Sequence, residues 1–326
     1  MALTFNRDFT IAYGEPAEVA PGLRRVVAQN PSPFTFKGTG TYILGRGEVA
    51  LVDAGPPFEA HVDALLRALE GETITHLITT HTHGDHSPAA RLIKERTGAL
   101  IVGCGRHPVV PDIDVNDDIE ELAEAEREAA KAAAKKADEQ QMARSDDEHV
   151  PDIEMHHGDR IEGSGWTIEA LHTPGHISNH LCFAVPSHDL MFSGDHVMGW
   201  STTVITPPTG DLNAYMDSLQ LLLDLPALPM WPTHGPCITE PHEFVAGLAE
   251  HRRGRTRQIL SSLAAGPKLI REIVDEHYVG LEDQLVKAAR RSVLSHLIAL
   301  VATGDVTFES LSGRDYPSIG AIYRLA

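Results

Sequence analysis

Residues 76–86 read HLITTHTHGDH, and this stretch decides the fold. The apolar, β-branched run HLITT predicts a strand, and it ends directly in His81-Thr82-His83-Gly84-Asp85-His86. His81 and His83 are two residues apart, so an extended chain carries both imidazoles on the same side. Gly84 tolerates backbone conformations closed to other residues, which lets the chain fold Asp85 and His86 back toward the same point. Neutral imidazole and carboxylate are the usual ligands of catalytic zinc. A histidine-rich surface turn is the competing explanation for the hexapeptide, and the remaining sequence argues against it.

Working outward, TYIL and VALVD read as antiparallel strands around a turn from Gly45 to Gly47, and FEAHVDALLRALEG as a helix with Val62, Leu65, Leu66 and Leu69 on one face. A second helix is expected near Pro88 to Thr97, followed by the strands ALIVGC, WTIEALHT, HLCFAV and DLMFSGD. Three further elements follow strand-like or apolar segments: Thr173-Pro174-Gly175-His176, Ser193-Gly194-Asp195-His196 and Thr233-His234-Gly235. Each sets a His or Asp beside a Gly, and polar residues at strand ends are where sites are built. The alternation of strands and helices is an α/β pattern with mixed strands.

Taken together, these elements resemble the metallo-β-lactamase superfamily over residues 23 to 240, in the order HxHxDH, GH, GD, HG. The resemblance implies an αββα sandwich, two mixed sheets face to face with helices outside and metals at one edge. It implies that His81, His83 and His176 hold one metal, that Asp85, His86 and His234 hold the other, and that Asp195 bridges them. Asp53 in LVDAG matches the early aspartate of the family, a supporting residue. The stretch from Gly194 to Leu225, the WPTHGP segment and the C-terminal helices resemble the β-lactamase-like protein 2 group. That likeness implies a small, mostly helical winged-helix-like C-terminal domain. The division expected is 1–240 for the catalytic domain, with a charged helical insertion at about 112–149, and 241–326 for the C-terminal domain.

Two divalent cations about 3.5 to 4 Å apart lower the pKa of a bridging water toward neutrality and polarise the electrophile, so hydroxide serves as nucleophile without a Ser or Cys. Asp85 would then both bind metal and orient that hydroxide. Zinc is the default ion, although such a site also accepts Mn²⁺, Fe²⁺ or Co²⁺. The complete ligand set with its bridging aspartate looks like the phosphodiesterase and thioesterase branches rather than the true β-lactamases. Phosphodiester or ribonuclease chemistry is one implied activity. The alternatives are a glyoxalase-II-like thioester hydrolase, a mononuclear iron persulfide dioxygenase, and a non-enzymatic nucleic-acid-binding regulator. Thr202 and Thr203 are weak candidates for holding a substrate anion, with a plain turn an equal explanation.

Charge bears on the partner. The formal net charge is −19, which opposes whole-surface attraction to polyphosphate. Residues 251–326 carry 11 Lys and Arg against 8 Asp and Glu, leaving a net −22 on the residues before them. Arg252, Arg253, Arg255 and Arg257, with Arg290 and Arg291, are candidate phosphate contacts, against solvated or salt-bridged arginines as the plainer reading. A small-molecule ester or thioester is the other substrate class. The three cysteines are dispersed and form no CxxC, so neither a disulfide framework nor a thiolate zinc site is expected. With no signal-like start and no long apolar run, a soluble cytoplasmic protein is expected. Of the 19 histidines, His61, His149, His156, His157, His188, His251 and His277 are expected at the surface. His172, His180 and His196 stand beside proposed ligands without joining them.

Overall fold

Side-chain alternation along the early strands determines what each layer of the protein covers. In β3 (Gly40–Arg46) and β4 (Glu48–Val52), Tyr42, Leu44, Ala50 and Val52 belong to one buried cluster and Ile43, Val49 and Leu51 to another. Successive residues of a strand point to opposite faces, so the sheet is apolar on both sides and must be covered on both. The structure, a computed structural model, describes residues 3–108, 146–281, 283–311, 313 and 315–326.

The first sheet runs β1 (Ala17–Ala20), β2 (Leu23–Val27), β3, β4, β5 (Thr73–Thr79), β6 (Leu100–Gly103) and β7 (Ile153–Glu154), in that order. Pairing is antiparallel through β4 and parallel from there on. The β3–β4 hairpin turns at Gly47, whose φ of +73° suits glycine. Helices α1 (Glu59–Ala68) and α2 (Ala89–Thr97) cover the outer face through Val62, Leu65, Ala89, Ala90 and Ile93. α2 stops at Gly98 in the left-handed conformation, whose N–H closes on the Lys94 carbonyl.

The second sheet has the order β12 (Met230–Pro232), β11 (Leu190–Gly194), β10 (Leu181–Val185), β9 (Trp166–His172) and β8 (Arg160–Gly163). Its inner face meets the first sheet through Trp166, Ile168, Ala170, Phe183 and Phe192. Each large apolar side chain buried there contributes about 1.5–3 kcal/mol. Its outer face, through Leu171, Cys182 and Met191, is covered by α3 (Leu212–Asp224) and the first half of α4 (Pro241–Ala264). The αββα sandwich expected from the sequence is the fold observed.

α4 then continues into a separate core, where Ile259 and Leu263 pack with α5 (Ile270–His277), α6 (Asp283–Thr303), β14 (Val306–Glu309) and β15 (Ile322–Leu325). β14 and β15 pair antiparallel. In PKLIREIVDEHY, Lys268 and Leu269 form the short strand β13 against β15, and the helix starts only at Ile270. Pro267, without an N–H, suits the extended entry.

The expected insertion at 112–149 lies outside the described residues except for 146–149. The chain re-enters beside the histidine loop, where the Asp146 N–H donates to the Thr82 carbonyl and Arg91 pairs with the Asp146 carboxylate at 2.6 Å. Two histidines expected at the surface are buried. His61 is held by Thr41 Oγ1 at 3.0 Å, and His149 Nε2 lies 3.2 Å from the Cys104 carbonyl. Their helical and polar sequence contexts gave no sign of these contacts, which come from remote chain.

Candidate metal centre

β5 ends at Thr79, and the chain passes through Thr80 into His81 and His83 before turning at Gly84. His176 sits in the loop between β9 and β10, Asp195 directly follows β11, and His234 follows β12. All seven expected residues therefore converge at one edge of the sandwich. They form overlapping buried groups whose candidate ligand atoms lie within 4.8 Å of one another: His81, His83 and His176; His81, His86 and Asp195; Asp85, His86 and His234.

In the first group His83 Nδ1 lies 2.9 Å from both His81 Nε2 and His176 Nε2. Ligands at zinc–nitrogen distances on a tetrahedron stand about 3.3 Å apart, close to that spacing. In the group of Asp85, His86 and His234, His234 Nε2 is 3.0 Å from Asp85 Oδ2, and His86 Nε2 is 3.4 Å from it. Asp195 Oδ2 lies between the groups, 3.4 Å from His234, 3.6 Å from His86 and 3.8 Å from His176. His86 Nε2 and Asp195 Oδ1 are buried without a hydrogen-bond partner among the described residues. Buried polar atoms of native proteins are ordinarily satisfied, and a cation would satisfy both. This donor set fits divalent metal.

The far nitrogens are held in turn, as ligating imidazoles require. Asp53 Oδ2 lies 2.9 Å from His86 Nδ1 and accepts from Thr233 Oγ1 at 2.5 Å, while Thr80 donates to the same carboxylate through both N–H and Oγ1. Thr80 Oγ1 also lies 3.0 Å from His81 Nδ1. His176 Nδ1 donates to the Val204 carbonyl at 2.6 Å, and His234 Nδ1 to the Gly38 carbonyl at 3.2 Å. Asp53 has a left-handed φ of +54° at the end of β4, and its N–H bonds the Ile78 carbonyl of the adjacent strand. Asp53 thus braces His86 directly, His81 through Thr80, and the Thr233 that precedes His234. Thr80, Thr233, Val204 and Gly38 were not singled out from the sequence, because their contribution is a hydroxyl or carbonyl that any loop possesses.

Electrostatics divide the cluster in two. Burial and the neighbouring imidazoles push His81 well below its ordinary value and His83 down to about 3, and burial lowers His176 despite Asp195. These rings are neutral, the form that ligates metal. Burial also opposes charge on His86 and His234, but the Asp85 and Asp195 carboxylates prevail, raising His86 well above its usual value and His234 to about 10. Conversely, burial disfavours the Asp85 and Asp195 charges, yet His86 and His234 hold both carboxyls well below the usual range. The carboxylate field that retains those protons is equally suited to a divalent cation.

Other candidate residues find different places. Thr203 is buried, its hydroxyl donating to the Asp195 and His196 carbonyls at 2.8 Å, whereas Thr202 is partly exposed. His180 Nε2 accepts from the Asp195 N–H at 3.2 Å, and exposed His172 bonds the Ser178 carbonyl. His196 is buried against Tyr215, ring centroids 4.6 Å apart. Of the arginine cluster, Arg252 is buried against Thr203, Arg255 lies 4.5 Å over Tyr278, and Arg257 pairs with Glu250 at 2.5 Å. No helix among the described residues is long and apolar enough to cross a membrane.

Residues 35–234 match the family model of the metallo-beta-lactamase superfamily. The chain is 31% identical to the beta-lactamase-like protein 2 homolog of Caenorhabditis elegans, over 78% of this chain and 75% of that one. It is 30% identical to an atrochrysone carboxyl ACP thioesterase of Aspergillus chevalieri, over 90% of this chain and 86% of that one. Among solved structures, a beta-lactamase domain protein from Burkholderia ambifaria superimposes with a TM-score of 0.73 at 21% identity, covering 99% of this chain and 97% of that one.

Proposed function

We propose, from the premise that the chain belongs to the metallo-beta-lactamase superfamily and is a hydrolase, that it cleaves acyl thioesters at a centre for two divalent cations. The observation that carries the proposal is the pair of buried triads, His81, His83 and His176 beside Asp85, His86 and His234, with Asp195 between them. Zinc is the ion proposed. Cations bound there supply Lewis acidity and bring a bound water's pKa toward neutrality.

The chain's own groups do the rest. Asp85 keeps its carboxylate charge at neutral pH through His86 and His234, and its Oδ2 is placed to accept a proton from, and orient, the attacking water. Thr39 Oγ1 reaches that same oxygen at 3.5 Å. Asp53 holds the His86 ring, and through Thr80 the His81 ring, against rotation. In the reaction the water oxygen joins the acyl carbon, the C–S bond breaks, and the sulfur leaves as thiolate to be protonated.

Thioester is preferred over phosphodiester on two grounds. Relatives similar over nine-tenths of the chain are named thioesterases. The net −22 on residues 1–250 opposes a polyanion, and three of the arginines that would offset it, Arg252, Arg255 and Arg257, have intramolecular partners. We read residues 1–240 as the catalytic unit and 241–326 as a winged-helix-like unit. The support for the latter is its own core and its order of helix, strand, two helices and two strands.

The test is elemental analysis of purified protein, then assay of the metal-loaded form on S-lactoylglutathione and other acyl thioesters, bis-p-nitrophenyl phosphate, single-stranded RNA and nitrocefin. Two metals per chain, with thioester turnover that Asp85→Asn lowers about 100-fold or more, is the expected result. Phosphodiester cleavage alone would move the assignment to the nuclease branch. A single iron would point to dioxygenase chemistry, and a metal-free, inactive protein would overturn the reading.

A further inference from the structure

Arg252 lies midway along α4, on the helix that links the sandwich to the C-terminal core, and is 6% exposed. Among the described residues it has no carboxylate partner, and its Nε has no hydrogen-bond partner. Its guanidinium lies 5.5 Å over the Tyr215 ring, and its Nη2 donates a hydrogen bond to the Thr203 carbonyl. A buried cation without a counter-charge is costly, so what it holds in place matters.

What it holds is the loop after β11. Asp195 begins that loop, and the Val204 carbonyl that fixes His176 Nδ1 ends it. Between them Thr203 turns its hydroxyl back onto the Asp195 and His196 carbonyls at 2.8 Å, and the Tyr215 hydroxyl adds a bond to the His196 carbonyl at 3.1 Å. The loop therefore carries one proposed ligand and orients another, and the Arg252 bond to Thr203 ties it to α4.

We propose that Arg252 is a positioning residue for the metal centre, acting through Thr203 to hold Asp195 and His176 in ligating geometry, an inference that rests on the ligand assignment above. By this account the C-terminal unit contributes to metal binding without supplying a ligand. Losing a residue that orients a ligand costs about 10–100-fold in metal affinity.

The experiment measures Co²⁺ affinity of the full chain by chelator competition and records the visible spectrum of the Co²⁺ form. It compares wild type, Arg252→Met, Arg252→Lys, Thr203→Val and the double variant Arg252→Met/Thr203→Val, with urea midpoints taken in chelator. We expect Arg252→Met and Thr203→Val each to weaken binding about 10–100-fold with altered Co²⁺ bands. The double variant should lose little more than either single one, because both act through one loop, and Arg252→Lys should recover part of the loss. Variants that lower the metal-free urea midpoint yet bind Co²⁺ within about twofold of wild type, or losses that add in the double variant, overturn the inference and leave the ligand assignment intact. If Arg252→Met does not fold, Arg252→Lys and Thr203→Val decide by the same criteria. Wild-type protein that takes up no metal overturns the ligand assignment and this inference with it.

Discussion

Asp53 shows how one buried side chain can set the geometry of many. Its carboxylate, fully buried, accepts from the Thr80 N–H and Oγ1 and from Thr233 Oγ1, and abuts His86 Nδ1. Alanine there leaves those buried donors without their acceptor, and breaking a buried charge-assisted set of this kind costs about 3–5 kcal/mol. Asp53→Ala should therefore lower the urea midpoint and, separately, reduce metal affinity about 10–100-fold, the second effect read by elemental analysis after dialysis. Full metal content in that variant would show that the ligands need no such brace. Asp53 was legible in the sequence through the family's early aspartate. Its contact with Thr233 was not, since that residue is 180 positions away.

Elements meet the site at close approaches that only glycine allows. Gly175, with φ of +136°, passes so near the start of α3 that an added Cβ would sit 2.4 Å from Tyr215 Cα and 2.6 Å from its backbone nitrogen. Neither atom can swing away, unlike a side-chain tip. Gly175→Ala must push α3 off the loop that presents His176, at about 2–3 kcal/mol of strain. The expected outcome is a lower thermal midpoint together with loss of the metal site nearest His176. An unchanged midpoint would mean that the loop yields without penalty. In the sequence this glycine was visible only as part of TPGH, a turn before a ligand; its packing against a helix that begins at Leu212 was not. The same holds for α4, whose single helical run in the sequence conceals that its first half serves the sandwich and its second half another core.

For the molecule as a whole, stability should respond to acid and to metal. Burial lowers His61 from 6.5 to about 4 and His296 to about 3. Each is neutral when folded and titrates near 6.5 when unfolded. Below pH 6.5 the unfolded chain binds the extra protons, so stability falls as pH drops toward the folded values and is complete above pH 6.5. At about 1.4 kcal/mol per unit, His61 alone accounts for on the order of 3 kcal/mol across that window. His61→Gln should flatten the decline in urea midpoint between pH 6.5 and 4, and an equally steep decline would assign it to other groups. Metal held at 100 times its dissociation constant adds about 2.7 kcal/mol, so chelation should lower the thermal midpoint by several degrees. What the sequence alone determined is local: strand and helix periodicities, the glycine turns and the HxHxDH, GH, GD and HG elements, each a pattern among near neighbours. Those patterns sufficed for the sandwich and for the seven converging residues. Only the tertiary structure decided the burial of His61 and His149, the brace around Asp53 and the Arg252 tie to the site. Each depends on which remote segment packs against a side chain, and the physics of that contact, desolvation and a matching donor or acceptor, leaves no periodic mark on the chain.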